Sequence, residues 1–206
     1  IDQDAGTGTQ DQLAIAATGS DVYFAWRDNR GGIFSDIYSR AATAQGAEFL
    51  GNEKRVDTDS GNTVARNPSI AVAGANVHVV WVDERGSDPD IRYNSSSDRA
   101  QTWRTSDFRV DQAPMAVGSD SPSISASGSN VFVAWRDERN GNGDVFFRAS
   151  ISGGESWLAD DKRIDSDAGA AEVAAPSACS DGVSVVVGWS DSRSGNADIR
   201  LNRSVQ

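Results

Sequence analysis

The sequence writes one short pattern four times, and that repetition limits what the chain can fold into. The copies are Trp26-Arg27-Asp28-Asn29-Arg30, Trp81-Val82-Asp83-Glu84-Arg85, Trp135-Arg136-Asp137-Glu138-Arg139 and Trp189-Ser190-Asp191-Ser192-Arg193. All read W-x-D-x-R, and successive tryptophans lie 55, 54 and 54 residues apart. A fixed period of this length signals a repeat architecture in which each unit is one supersecondary element. The 206 residues are therefore expected to form one domain of four units, bounded at 1–55, 56–109, 110–163 and 164–206, with the last incomplete.

Each unit can be read strand by strand. Twenty-five residues before the tryptophans stand Ile1, Val56, Val110 and Ile164, each followed by Asp. Three copies continue as D-x-D-x-G: Asp2 to Gly6, Asp57 to Gly61 and Asp165 to Gly169. The third copy departs, with Asp111-Gln112-Ala113-Pro114. A short strand follows, opened in three units by Pro68-Ser69, Pro122-Ser123 and Pro176-Ser177. Proline suits the first residue of a strand, where its missing N–H does no harm. Gly19, Gly74, Gly128 and Gly182 then mark a tight turn. The next strand is apolar at nearly every position, as in Val131-Phe132-Val133-Ala134-Trp135, which predicts cover on both faces. A third strand opens at Asp36, Asp90, Asp144 and Asp198, and a fourth, such as 105–110, closes the unit. Four short antiparallel strands per repeat predict an all-β fold, a β-propeller of four blades. No segment carries the apolar period of a helix, so almost no helix is expected.

The turn before the fourth strand of the second unit reads Ser96-Ser97-Asp98-Arg99-Ala100-Gln101-Thr102-Trp103. It resembles the Asp-box, S-x-D-x-G-x-T-W, of sialidase-like (BNR-repeat) β-propellers, with Ala100 in place of the usual glycine. Ser150-Ile151-Ser152-Gly153-Gly154-Glu155-Ser156-Trp157 is a degraded copy with Ser for Asp, and the first unit keeps only Gly46 and Phe49. The W-x-D-x-R stretch followed by Gly and Asp-Ile is also similar to secreted bacterial repeats of this kind. The resemblance spans the whole chain and implies sialidase-like blades. It is specific for fold and unspecific for activity, because Asp-boxes also occur in lectins, receptors and surface proteins. Short Asp and Ser side chains bond backbone N–H groups within a turn. Ser96, Asp98, Thr102, Trp103, Ser150, Gly154 and Trp157 are accordingly expected to be structural.

Charge and composition narrow the function. A net charge of −11 opposes binding to a phosphate backbone, which needs clustered Lys and Arg, so no nucleic-acid partner is expected. No window approaches 18 apolar residues, so no membrane insertion is expected. Cys179, the only cysteine, reads as a buried small hydrophobe, and His78, the only histidine, as core packing beside Trp81. Ile1 reads as the start of a mature chain or an excerpt. Ile1-Asp2 aligns with the tail of the strand missing from the fourth unit, so the parent chain is expected to be longer.

Two sets of residues compete for a ligand. Along a strand the Trp, Asp and Arg of each signature share a face. The simplest reading pairs each arginine with its own aspartate. The functional alternative arranges Arg30, Arg85, Arg139 and Arg193, with Asp28, Asp83, Asp137 and Asp191, around one mouth as a glycan or anion site. The D-x-D-x-G loops offer Asp oxygens at alternate positions, which suits calcium. Two carboxylates fall short of a full cage, and no other metal or cofactor is expected. Sialidases resemble this fold but use six blades, an arginine trio, a Tyr-Glu nucleophile pair and an Asp acid. Here the arginines are repeat-equivalent, and Tyr23, Tyr38 and Tyr93 have no evident glutamate partner. Near-repetition argues against an active site, which needs unique residues, so no catalytic residue is assigned. The expected function is a non-catalytic, secreted or cell-surface recognition module that binds glycan or protein through its loops. The alternative is a structural subunit of a larger assembly, an oligomer completed by strand sharing at the incomplete fourth blade, and the third reading is a sialidase-type glycoside hydrolase fragment.

Overall fold

In the computed structural model the chain is all-β, with four antiparallel sheets following one another along the sequence. The structure describes residues 1–3, 6, 8–30, 32–113, 118–166 and 173–205. The first sheet holds β1 (Gln10–Thr18), β2 (Asp21–Asp28), β3 (Asp36–Thr43), β4 (Glu48–Phe49) and β5 (Lys54–Arg55). The second holds β6 (Ala65–Ala73), β7 (Asn76–Asp83), β8 (Asp90–Ser96) and β9 (Phe108–Arg109). The third holds β10 (Ser119–Ser127), β11 (Asn130–Asp137), β12 (Asp144–Ser150) and β13 (Lys162–Arg163). The fourth has three strands, β14 (Ser177–Ser180), β15 (Ser184–Asp191) and β16 (Asp198–Val205). One 3-10 turn, Ala44–Gly46, is the only helical segment among the described residues.

The apolar second strand explains how the sheets stack. Successive side chains of a strand point to opposite faces. Trp81 and Val79 meet Tyr23 and Ile37 of the first sheet, while Val80 and Val82 meet Val131 and Trp135 of the third. Phe132 and Ala134 then meet Val187 and Trp189 of the fourth. Trp81 and Trp135 are fully buried in these seams. Burying a large apolar side chain contributes about 1.5–3 kcal/mol, so the seams between sheets carry the fold. The first strands of each sheet lie side by side, β1 against β6, β6 against β10 and β10 against β14.

Four details differ from the sequence reading. The fourth strand of a unit is only two residues long, as in Phe108–Arg109, rather than 105–110. Pro68 and Pro122 do not open their strands. They sit inside β6 and β10, at a bulge between Arg66 and Ser69 and between Asp120 and Ser123. A bulge leaves one residue unpaired, so proline is tolerated there too. Cys179 is exposed, because it points from β14 to a side that no described residue covers. Nor is closure of the four sheets into a ring shown. Ile37, Ile91 and Val145 are fully buried at one equivalent position, whereas Ile199 in the fourth sheet is 83% exposed. The first three carbonyls accept the N–H groups of Val56, Val110 and Ile164, which follow the short closing strands. Ile1 and Asp2, the copy of that pair at the N-terminus, lie instead against the first sheet. Arg40 Nη1 donates to the Ile1 carbonyl at 2.8 Å, and Gln3 N donates to Glu53 Oε2 at 2.9 Å.

Candidate functional site

The second and third strands of each sheet are joined at one end by the W-x-D-x-R signature. We call this end the mouth. Here the tryptophan Nε1 donates to the aspartate two residues on, at 3.2 Å for Trp26–Asp28, 3.0 Å for Trp81–Asp83, 3.1 Å for Trp135–Asp137 and 3.5 Å for Trp189–Asp191. The same aspartate accepts the backbone N–H of Arg30, Arg85, Arg139 or Arg193 at 2.8–2.9 Å. Each arginine then folds back onto that carboxylate. Three arginines also reach a second acid, Glu53, Asp107 or Asp161, on the same sheet. Arg30 and Arg139 lie over the rings of Tyr38 and Phe146, both at 4.0 Å. Burial opposes ionisation of Asp28 and Asp137. The hydrogen bonds from Arg30 and Arg139 outweigh it and leave both below the usual carboxylate range. Arg193 holds Asp191 down to about 2. Each arginine of the eight residues read as a ligand ring is thus ion-paired with its own aspartate and stays partly exposed at the mouth.

What faces the mouth is instead the start of each inner strand. The β1, β6 and β10 ladders all contain one extra residue at the same place. At each bulge a non-glycine residue takes a left-handed conformation: Gln12 at φ 53°, Asn67 at 52° and Ser121 at 52°. Such backbone costs about 1–3 kcal/mol and persists only where the surroundings hold it. The Asn67 N–H donates to Gln12 Oε1 at 2.7 Å, tying the first two inner strands together. Just before the bulges stand Asp11, Arg66 and Asp120, two acids and a base, each in an ion pair. Asp11 pairs with Arg27 at 3.4 Å and Arg66 with Glu84 at 3.0 Å.

The third partnership is the densest. Arg136 Nη1 lies 3.5 Å from Asp120 Oδ2 and 2.7 Å from Glu138 Oε1. Its Nε donates to the Val173 carbonyl at 3.0 Å, which fixes the guanidinium from the fourth-sheet side. Gly143 leaves it room, since a Cβ there would overlap the guanidinium. The two oxygens that Arg136 Nη1 reaches are therefore no more than about 6 Å apart, which puts both carboxylates on one side of the mouth. Both line a cavity of about 520 Å³ with Arg66, Asp88, Pro89 and Ser119. Ligand pockets commonly span ~300–1,000 Å³.

The Asp-box residues lie at the opposite end of the sheets. Asp98 Oδ1 accepts the N–H groups of Gln101 and Thr102 at 3.1 and 2.9 Å, and Ser96 Oγ accepts that of Ala100 at 2.9 Å. In the third sheet Ser152 Oγ replaces the carboxylate and accepts Ser156 N at 2.9 Å, while Ser150 Oγ accepts Gly154 N. Trp103 donates to Ser39 Oγ of the first sheet at 2.9 Å, and Trp157 packs edge-on against Tyr93. Of the D-x-D-x-G loops, Asp4 and Asp167 fall outside the described residues. Asp57 and Asp59 approach Asp36 closely enough to share an ion. The Arg55 guanidinium already lies among all three.

No family model and no curated protein matches this sequence. Solved structures do resemble it. A Hadza microbial sialidase superposes with a TM-score of 0.66 at 12% identity, over 94% of this chain and 44% of that one. The α-L-arabinanase of Penicillium chrysogenum, complexed with arabinobiose, gives 0.64 at 12% identity, over 96% of this chain and 62% of that one. The endo-arabinase of Bacteroides thetaiotaomicron gives 0.58 at 16% identity, over all of this chain and 79% of that one. These neighbours are β-propeller glycoside hydrolases. The chain spans less than two thirds of the first two.

The expectation of a non-catalytic recognition module, with a strand-shared structural subunit as its alternative, is corrected by these neighbours, which are sialidases and arabinan-degrading enzymes. Sequence symmetry misled because the repeated residues are the ones that hold the sheets. Asp11, Arg66, Asp120 and Glu138 stand outside or beside the repeated letters, and those are the residues at the mouth. An alignment of the four units places Asp11, Arg66, Asp120 and Ala174 at one position and Asn29, Glu84, Glu138 and Ser192 at another, so these two positions vary in charge where the rest of the signature is kept.

Proposed function

We propose that this chain is part of a glycan-processing glycoside hydrolase, with Asp120 and Glu138 as its carboxylate pair. The observation that carries the reading is Arg136, whose one nitrogen reaches both carboxylates at the wall of the mouth cavity. Two carboxylates flanking one site are the usual pair of a glycoside hydrolase, one as acid and the other as nucleophile or base. Glu138 is the more exposed of the two and serves as acid/base, and Asp120 is the nucleophile. Arg136 orients both and offsets their mutual repulsion.

The favoured substrate is a neutral glycan of the arabinan type. Arg27, Arg66 and Arg136 each face an acid at the mouth, so none offers an uncompensated charge to a substrate carboxylate. The net charge of −11 acts in the same direction. The sialidase-like, BNR-type ancestry, the propeller closed by further sheets and a location outside the cell belong to the same proposal. The test is release of product from 4-nitrophenyl α-L-arabinofuranoside, arabinan and a fluorogenic sialoside. We expect cleavage of a neutral substrate, with kcat reduced about 10²–10⁴-fold in Glu138→Gln. A folded chain that cleaves none of the three would overturn the hydrolase reading. Cleavage of the sialoside alone would overturn its neutral substrate.

A further inference from the structure

The mouth cavity has two walls. The third sheet supplies Ser119, Asp120 and Glu138, and the second supplies Arg66 from β6 with Asp88 and Pro89 from the loop before β8. The Ser119 N–H donates to the Pro89 carbonyl at 2.9 Å, across the seam between the sheets. Asp88 and Asp120 are the next residues on either side of that bond, so their Cα atoms lie within roughly 15 Å of each other. The loop part of the second wall is not written in repeated letters. In the other units the places of Asp88 and Pro89 are held by Phe34 and Ser35, by Asn142 and Gly143, and by Asn196 and Ala197.

Both charged groups of this wall have hydrogen-bonding capacity left over. Arg66 Nε donates to Glu84 Oε1 at 3.0 Å, which offsets the charge. Its Nη1 and Nη2 have no partner among the described residues, and neither is buried. Asp88 is half-buried, and its Oδ2 accepts the Ser87 hydroxyl at 2.7 Å. Among the described residues no cation pairs with the Asp88 carboxylate, Arg66 included. One wall thus presents free donors on a planar guanidinium and a free carboxylate acceptor.

That combination suits a particular ligand group. A sugar hydroxyl donates and accepts at once, so a ring with neighbouring hydroxyls can satisfy both side chains. Such bonds to charged groups are about twice as strong as neutral ones. A substrate carboxylate would gain from Arg66 but be repelled by Asp88. Pro89 adds apolar surface for ring carbons, and Gly118 faces its Cδ without a side chain.

We infer that Arg66 and Asp88 hold a second sugar residue, next to the one that meets Asp120 and Glu138, so that the mouth takes a neutral oligosaccharide chain. The inference rests on the reading of the mouth as a glycan site, and not on cleavage there. The test is calorimetric titration of the trisaccharides of arabinose, galactose and xylose, and of their methyl glycosides, into Glu138→Gln, a background that suppresses turnover. At least one trisaccharide should bind more tightly than its methyl glycoside. Asp88→Ala and Arg66→Met, each made in that background, should weaken the trisaccharide about tenfold, as for a lost hydrogen bond to a charged group. The methyl glycoside should be unaffected, and Asp88→Asn, which keeps an acceptor oxygen, should recover part of the loss. Both side chains are partly exposed, so the variants are expected to fold, which thermal melting checks. Four results would overturn the inference: no trisaccharide binds, either variant binds it as the background does, the methyl glycoside weakens equally, or inorganic sulfate at equal concentration displaces the trisaccharide. A trisaccharide bound through Arg66 and Asp88 but not cleaved by the wild type would overturn the hydrolase reading alone.

Discussion

The carboxylate of Asp137 grips Arg139 at three points. Oδ1 accepts the arginine's backbone N–H and its Nε, both at 2.9 Å, and Oδ2 accepts Nη2 at 2.6 Å. Oδ2 also takes the indole of Trp135 at 3.1 Å and the hydroxyl of Ser119 at 3.1 Å. The carboxylate is fully buried, so the Trp135 indole and Arg139 Nε would lose their partner if it were lost, while Arg139 Nη2 keeps Asp161 and Ser119 keeps Asp111.

Asp137→Ala should therefore destabilise the chain by about 3–5 kcal/mol, as expected for removing one partner of a buried pair. Arg139→Lys should cost less, because one ammonium keeps the charge and loses the parallel contacts. Urea denaturation of the two variants checks this. A loss under ~1 kcal/mol for Asp137→Ala would mean that the signature is not what holds this corner.

His78 sets a pH limit on folding. Its folded value of about 4 lies below the unfolded 6.5, because burial penalises the charged ring. The stability it contributes is complete above pH 6.5 and drains away as pH falls through about 4. The loss across that window is about 3 kcal/mol. Melting temperatures measured from pH 8 to 4 should fall most steeply below 6.5, and His78→Phe should flatten that portion. An unchanged slope in the variant would assign the loss to other groups.

Gly154 has room for no side chain. Its φ is 85°, and a Cβ would overlap the hydroxyl and ring of Tyr93. Gly154→Ala is expected to cost about 2 kcal/mol or more. In a double-mutant cycle with Tyr93→Phe the cost should shrink, since the overlapping oxygen is gone. Strict additivity would show that backbone conformation alone accounts for the loss.

Gly143 tests the mouth from behind. Gly143→Ala should push the Arg136 guanidinium away from Asp120 and Glu138 while leaving both carboxylates in place. We expect kcat on the cleaved glycoside to fall about tenfold, or about 1.4 kcal/mol, with little change in stability. Unaltered kcat would show that Arg136 does not position the pair.

The sheets were legible in the sequence because each seam is written in repeated letters. Val79 and Trp81 read as a buried strand, and they pack as one. In the turn at Asp98, whose letters are not repeated, that carboxylate accepts backbone N–H groups. The mouth was less legible, because the position held by Asp11, Arg66 and Asp120 changes charge from unit to unit and lies outside the repeated signature. Their common feature is a bulge, whose trace in the sequence is the proline after Asn67 and Ser121. Cys179 was misread because its small neighbours suggested an interior, and no letter states whether another layer lies beyond a sheet.

The bulges have a consequence for change over time. Along an ordinary strand a residue cannot be altered in size or direction without disturbing partners on both sides. The extra residue at Gln12, Asn67 or Ser121 stands outside that alternation, and the ladder resumes in step beyond it. Apart from the Gln12 Oε1 contact to the Asn67 N–H, the side chains at these three places are thereby released from the duty of specifying the scaffold. New chemistry can be tried there by substitution, one position at a time, on sheets that need not be rebuilt.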